Sequence, residues 1–258
     1  MEQEALKKYF LRCAGPFGTG DADVRRNLEL KRDHTLRVVR LAASLAQAEN
    51  FSSRETELLM PAALFHDLSR FEQYRRFRSF NDAVTYDHGE RSFELVRERG
   101  LLADLPGDEQ NAVLCAVRFH NKLEIPPDLP PAAKKILLAV RDADKTDIMG
   151  ILLEYLKNPG NPAIVYGLPD NGALSARVRD AVLAGRSPAH RELESSLDFL
   201  AAKFAWGFDL NFGWTCREFL RRGYMERLRA LLPEKPEVLD VMLQKVSDHL
   251  RKKGKESC

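Results

Sequence analysis

The sequence of 258 residues lacks several features that mark common classes of protein. Its four cysteines, at positions 13, 115, 216 and 258, show no close pair spacing, which argues against a zinc finger, a thioredoxin-like motif or a small disulfide-stapled domain. No uncharged run approaches the roughly 18 residues that a membrane helix needs, and the first residues contain no apolar stretch of signal-peptide length. We therefore expect a cytoplasmic protein with reduced thiols and no membrane partner.

The sequence also lacks a net charge of either sign. Its 40 Lys and Arg residues balance 38 Asp and Glu residues, giving a formal net charge of +2. Because a nucleic-acid-binding protein usually carries a strongly basic face, we predict no clear nucleic-acid surface. The basic stretch at residues 251–255 is local, and we interpret it as the solvated end of a helix.

Alternating strand patterns are scarce and no internal repeat is evident, whereas apolar residues recur at helical spacing along most of the chain. This predicts an all-α fold. Proline- and glycine-rich stretches at residues 158–162 and 168–172 predict a division between a helical core, residues 1–157, and a C-terminal helical extension packed on it, residues 173–258. The sequence leaves a homodimer open.

What the sequence does contain is an adjacent imidazole and carboxylate, His66-Asp67, directly after the apolar segment at residues 58–65. Burying an unpaired charge in such surroundings costs several kcal/mol, roughly, even after relaxation. A bound cation would remove that cost. Pro61 lies within the same segment, so we expect either a kink or a second helix start there.

Donor side chains also lie on the apolar faces of four other predicted helices. His34, for example, is in register with Val38 and Leu41, because positions four and seven apart share one face of a helix. Imidazole nitrogen and carboxylate oxygen are ligands that suit divalent transition metals. The candidate ligands are therefore His34, His66, Asp67, His88, His120 and Asp144, and they include four of the six histidines. His190 and His249 belong to no such pattern.

Three carboxylates compete for the last position in this set. Asp142 and Asp147 lie close to Asp144, and spacing only partly separates them, although Asp144 shares a face with Val140 and Ile148.

The order of these donors resembles the HD superfamily of metal-dependent phosphohydrolases. The local sequence at residues 33–38, 63–73, 87–90 and 142–145 is also similar to that family, and the resemblance covers roughly residues 25–155. It implies an HD-domain helical bundle in which His34, His66, Asp67 and Asp144 hold one metal, and it favours Asp144 over its neighbours. It further implies that His88 and His120 bind a second metal bridged by Asp67. The cofactor would be one or two divalent ions, with Mn, Fe, Ni, Zn and Mg as candidates.

The resemblance implies a phosphatase or phosphodiesterase that acts on a nucleotide or another small phosphorylated metabolite through a metal-activated hydroxide. Asp67, His88 and His120 would then be catalytic. Arg70, Lys122 and Lys145 follow the donors directly in sequence, so we predict that they bind the substrate phosphate. Asp33, Asp87 and Glu90 are candidates for orienting the metal-bound imidazoles, and a surface carboxylate is the alternative for each of them.

Two other functions use the same donors. Some relatives of this fold hold two irons and oxygenate a small molecule, and a non-catalytic metal- or nucleotide-binding regulatory module would also contain such a site. The sequence does not exclude the oxygenase, whereas six buried donors exceed what a purely structural module needs.

Overall fold

The computed structural model describes residues 3–15, 20–158, 173–233 and 236–256, and the regular elements in these ranges are all helical. The predicted all-α fold is confirmed. The helices are α1 (Gln3–Ala14), α2 (Ala22–Ala48), α3 (Ser53–Phe65), α4 (Arg70–Phe77), α5 (His88–Glu98), α6 (Gly107–Phe119), α7 (Pro131–Lys157), α8 (Ala176–Leu183), α9 (Ser196–Ala205), α10 (Gly213–Arg221), α11 (Tyr224–Leu231) and α12 (Val238–Glu256). Single turns of 3-10 helix lie at Asp82–Val84 and His190–Glu192.

The chain forms two compact units, Met1–Asp147 and Ile148–Cys258. The expected division at residues 158–172 falls almost entirely on residues 159–172, which lie outside the described residues, so the proposed domain bounds stay a prediction. Within the part of the chain that the structure describes, no helix combines the length and the apolar character needed to cross a lipid bilayer.

Local capping explains where α2 and α3 begin. The Asp21 carboxylate accepts hydrogen bonds from two backbone N–H groups at the start of α2. Ser52 and Glu55 form a capping box at the start of α3. α3 then packs against α2 and α6, and α5 packs against α6. Apolar side chains fill the space inside this unit, among them Leu28, Val38, Leu59, Phe65, Val113, Val117 and Ile136.

Four of the six candidate ligands lie at or just beyond helix ends, whereas His34 and Asp144 lie within α2 and α7. α3 runs through Pro61 without a second start and ends at His66, its C-terminal cap. His120 caps α6 in the same way, and His88 is the first residue of α5. Side chains at helix ends can leave the helix axis, so these donors reach a common point that a regular helix face would not provide.

The second unit has its own apolar core. Phe204, Phe219, Leu228, Leu239 and Val246 are buried there. α10 packs closely on α12, where Gly254 lies against the side chain of Arg217. The cysteines at positions 13, 115 and 216 are free thiols.

Candidate metal centre

The structure brings all six predicted ligands together. His34 Nε2 lies 3.1 Å from Asp144 Oδ1 and 3.5 Å from Asp67 Oδ2. His66 Nε2 lies 3.6 Å from Asp144 Oδ1 and 3.7 Å from Asp67 Oδ2. These four side chains therefore converge on one point from α2, the end of α3 and α7.

Asp67 also faces a second pair of donors. Its other oxygen, Oδ1, lies 3.4 Å from His88 Nε2 and 3.8 Å from His120 Nε2. The ε nitrogens of His88 and His120 are 3.1 Å apart. The two oxygens of one carboxylate thus point to two different sets of ring nitrogens.

The hydrogen bonding of this cluster tests whether its residues fit a metal. His34 Nε2, His66 Nε2 and Asp144 Oδ1 are buried and form no hydrogen bond of ordinary geometry with any described residue. A buried polar atom left without a partner costs about 1–3 kcal/mol, so three at one point need an explanation. In two groups of three residues, the potential ligand atoms all lie within 4.8 Å of one another. One group is His34, His66 and Asp144, and the other is His66, Asp67 and His120. Nitrogen and oxygen donors in this arrangement fit a divalent metal ion.

Each histidine ring is fixed through its δ nitrogen. His34 Nδ1 lies 2.7 Å from an oxygen of Asp147, and His88 Nδ1 hydrogen-bonds Asp82. His66 Nδ1 lies 2.8 Å from the carbonyl oxygen of Ala63, and His120 Nδ1 lies 2.9 Å from that of Val117. With a proton on each Nδ1, every Nε2 lone pair faces the cluster, which is the tautomer that a metal ligand needs.

The carboxylates that orient these rings are not the ones that the sequence suggested. Asp33 pairs with Arg32 at the surface, Asp87 caps α5, and Glu90 pairs with Arg118. None of these three candidates is hydrogen-bonded to a ligand ring, because residues next to a ligand in sequence point to other sides of the helix or cap its backbone. Asp147 and Asp82 orient His34 and His88 instead.

The position of Asp144 separates it from its neighbours on α7. Asp144 Oδ1 lies among the ε nitrogens of His34 and His66, whereas Asp147 contacts the opposite nitrogen of the His34 ring and also accepts two hydrogen bonds from Arg37. Of these two carboxylates, Asp144 is therefore the one placed to contact an ion in the cluster.

Burial and neighbouring charges set the protonation of the cluster. Burial and the charge of Lys31 act to lower the pKa of His34, but the carboxylates of Asp144, Asp147 and Asp67 outweigh them and raise it to about 10. The same negative charge would favour a metal cation at this ring. Burial, with the charges of His66 and His88, lowers the pKa of His120 to about 3, so that ring is the neutral imidazole that binds metals.

Of the three predicted phosphate-binding residues, Arg70 lies at the cluster. Its Nε is 3.4 Å from Asp67 Oδ1 and its Nη2 is 3.3 Å from His88 Nε2. Lys122 donates a hydrogen bond to Asp87, and Lys145 is partly buried beside Asp144 on α7.

Sequence reasoning missed one cation at the site. Lys31 Nζ lies 2.6 Å from Asp67 Oδ2. The available signal was its position one helical turn before His34, on the same face of α2.

Comparison with known proteins agrees with this geometry. The HD domain family matches residues 32–149 of the chain, a range that includes all six candidate ligands. No curated protein and no solved structure matches the chain. Residues 32–149 therefore belong to the HD superfamily, a superfamily of metal-dependent hydrolases.

Proposed function

We propose that this protein is a metal-dependent phosphohydrolase, a phosphatase or phosphodiesterase, that acts on a nucleotide or another small phosphorylated metabolite. The observation that carries the proposal is Asp67, whose two oxygens face two sets of donors. A carboxylate in this position suits a pair of divalent ions. When bound, such ions supply a nucleophile at neutral pH and withdraw negative charge from a phosphoryl group.

In this proposal the residues of the chain divide the binding between two positions. His34, His66 and Asp144, with Asp67, hold one ion, and His88 and His120, again with Asp67, hold the second. All of these side chains are buried or nearly so, and their surroundings exclude most water. Charge interactions in such a site are stronger than in bulk water, which favours binding of an anionic phosphoryl group next to the metals.

Three cationic side chains are proposed to bind the substrate. Arg70 is the best placed of them, because its guanidinium lies between Asp67 and His88. Lys122 and Lys145 follow the ligands His120 and Asp144 and would act at the edge of the site. Guanidinium and ammonium groups make strong, charge-assisted hydrogen bonds to phosphoryl oxygens.

The remaining parts of the proposal concern the ion and the compartment. Four imidazoles suit Fe, Ni or Zn, whereas the carboxylates of Asp67 and Asp144 also suit Mn and Mg, so all five ions are candidates. The free thiols at positions 13, 115 and 216 agree with a reducing cytoplasm.

The test is a phosphate-release screen over nucleotides and sugar phosphates, with the protein loaded separately with each candidate metal. We expect at least one substrate to be hydrolysed by the wild type and by Asp33→Ala, whose carboxylate lies at the surface, but not by Asp67→Ala. A fully loaded wild type that releases phosphate from none of them would refute the proposal. Bound iron that gains a visible absorption on exposure to oxygen would then favour an oxygenase.

A further inference from the structure

Lys31 occupies a position at the metal centre that none of the predicted site residues fills. It lies on α2, and its ammonium hydrogen-bonds Asp67 Oδ2, the oxygen that faces His34 and His66. The ammonium also lies 5.3 Å from the centre of the Phe80 ring. The guanidinium of Arg70 lies 5.7 Å from the centre of the same ring, so both cations that contact Asp67 also lie near Phe80.

The two cations differ in how many of their donors the protein already uses. Arg70 Nη1 donates to Gln73, to the carbonyl oxygen of Phe80 and to Asp82, all within 2.8 Å. An ammonium has three N–H donors, and Asp67 is the acceptor that the described residues provide for Lys31. Two donors of Lys31 are therefore left for a ligand, whereas Arg70 is held in place by the protein around it.

Solvent exposure also favours Lys31 over Arg70 as the residue that is available to a ligand. The side chains of Lys31 and Asp144 are 14% and 15% exposed, against 7% for Arg70 and 4% for Asp67. The ammonium of Lys31 is therefore more open to a ligand from solvent than the guanidinium of Arg70.

Metal binding would also weaken the hold of Asp67 on Lys31. The negative charge of Asp67 would then be shared with the ions, so its attraction for the ammonium falls. A flexible lysine side chain can turn its point charge toward a new anion, as lysines do in other phosphate sites.

We propose that Lys31 binds an oxygen of the substrate phosphoryl group at the metal centre and passes from Asp67 to that oxygen when substrate enters. This inference rests on the proposed phosphohydrolase function and adds the residue that recognises the transferred group. Arg70 then has an additional role: it hydrogen-bonds Phe80 and Asp82, and Asp82 in turn holds the His88 ring in place.

The experiment uses the full chain loaded with Mn²⁺ and inorganic phosphate as the probe. Isothermal titration calorimetry measures phosphate binding, and elemental analysis measures the manganese content. We expect Lys31→Met to bind phosphate at least about tenfold more weakly than the wild type while keeping its manganese, since the lost interaction is a charge-assisted hydrogen bond. Lys31→Arg keeps the charge and should bind phosphate more tightly than Lys31→Met.

Lys135→Met is a matched control. Lys135 also pairs with a carboxylate, that of Glu55, at 2.8 Å, and its ammonium lies 4.1 Å from the ring centre of Phe51. Neither Glu55 nor Phe51 belongs to the cluster. Its phosphate affinity should equal that of the wild type. Circular dichroism checks the fold of each variant, and Lys31→Gln replaces Lys31→Met if the latter does not fold.

Three results would overturn the inference: undiminished phosphate binding by folded Lys31→Met, a loss of manganese in that variant, or no phosphate binding by the wild type. The second would mean that Lys31 acts only by holding Asp67. A wild type that binds phosphate through Lys31 but hydrolyses no phosphorylated substrate would instead count against the proposed function and leave the binding role standing.

Discussion

At the scale of single residues, Asp147 acts on the His34 ring through both its position and its negative charge. Asp147 accepts a hydrogen bond from His34 Nδ1 and two from Arg37, so it fixes the ring and favours electron donation from Nε2. Burial alone would raise the pKa of Asp147, but the hydrogen bonds from His34 and Arg37 lower it below its usual range. This carboxylate is therefore ionised when a metal binds.

Asp147→Asn tests this role with little change in size. The asparagine oxygen can still accept from Nδ1, but the negative charge is lost, so we expect the affinity of the chain for Mn²⁺ to fall about 10- to 100-fold. A titration of metal-free protein with Mn²⁺ measures it. Asp33→Asn removes a surface carboxylate next to His34 and should change nothing; equal losses in both variants would count against the assignment.

Lys203 in the second unit is a buried ammonium group whose pKa is lowered by burial. It is buried on α9 with its ammonium 4.0 Å from the ring centre of Phe199 and 4.1 Å from that of Trp206, and no carboxylate of the described residues pairs with it. Burial lowers its pKa from 10.5 to about 7. The unfolded chain then binds more protons than the folded one between these pH values.

Stability should therefore rise with pH in this window. Each pH unit between about 7 and 10.5 adds at most about 1.4 kcal/mol to the free energy of unfolding through Lys203. Urea unfolding at pH 7 and at about pH 9.5 should show this rise in the wild type and in Lys252→Met, an exposed control. Lys203→Met should lack it, and an identical pH dependence in all three proteins would show that Lys203 is not buried as described.

Among the elements, α5 and α6 must approach closely for His88 to meet His120. Gly89, in the first turn of α5, makes this possible: a Cβ there would lie 2.5 Å from Asn121 Oδ1 and 2.7 Å from the carbonyl oxygen of Arg118. The backbone of Arg118 belongs to α6 and cannot move without moving the helix.

We expect Gly89→Ala to push these helices apart, with a loss of about 1–3 kcal/mol in the free energy of unfolding and weaker metal binding at His88 and His120. Gly107→Ala, at the start of α6, is the control, because a Cβ there meets no atom within 4 Å. Urea unfolding and a manganese titration measure the two effects. A Gly89→Ala protein as stable as Gly107→Ala would contradict the close packing.

Sequence patterns predicted that helices form better than they predicted where each helix ends or which side chains contact one another across helices. The apolar face of α2 around His34 was predictable because it depends on neighbours within two turns of the same helix. Pro61 left two outcomes open, since tertiary packing decides whether a helix continues through a proline. The roles of Asp82 and Asp147 could not be predicted, because each orients a ring that another helix supplies.

On the scale of the whole molecule, the predictable part of the site is the set of ligands and the unpredictable part is the set of cations around it. Six donors on apolar helix faces have few other reasons to be buried, so helical spacing gathered most of them, and the family resemblance selected Asp144 from three neighbouring carboxylates. Lys31 looks like any other basic residue on an amphipathic helix until the fold brings Asp67 beside it. The HD match at residues 32–149 likewise says nothing about the role of the second unit.

The most direct test of the central claim, that six residues form one metal centre, is the metal content of the purified chain after loading with Mn²⁺ and dialysis. We predict about one to two ions per chain for the wild type and for His249→Ala, and less than about a tenth of that for Asp67→Ala with its helical content intact. A folded Asp67→Ala protein that keeps the metal content of the wild type would contradict the account.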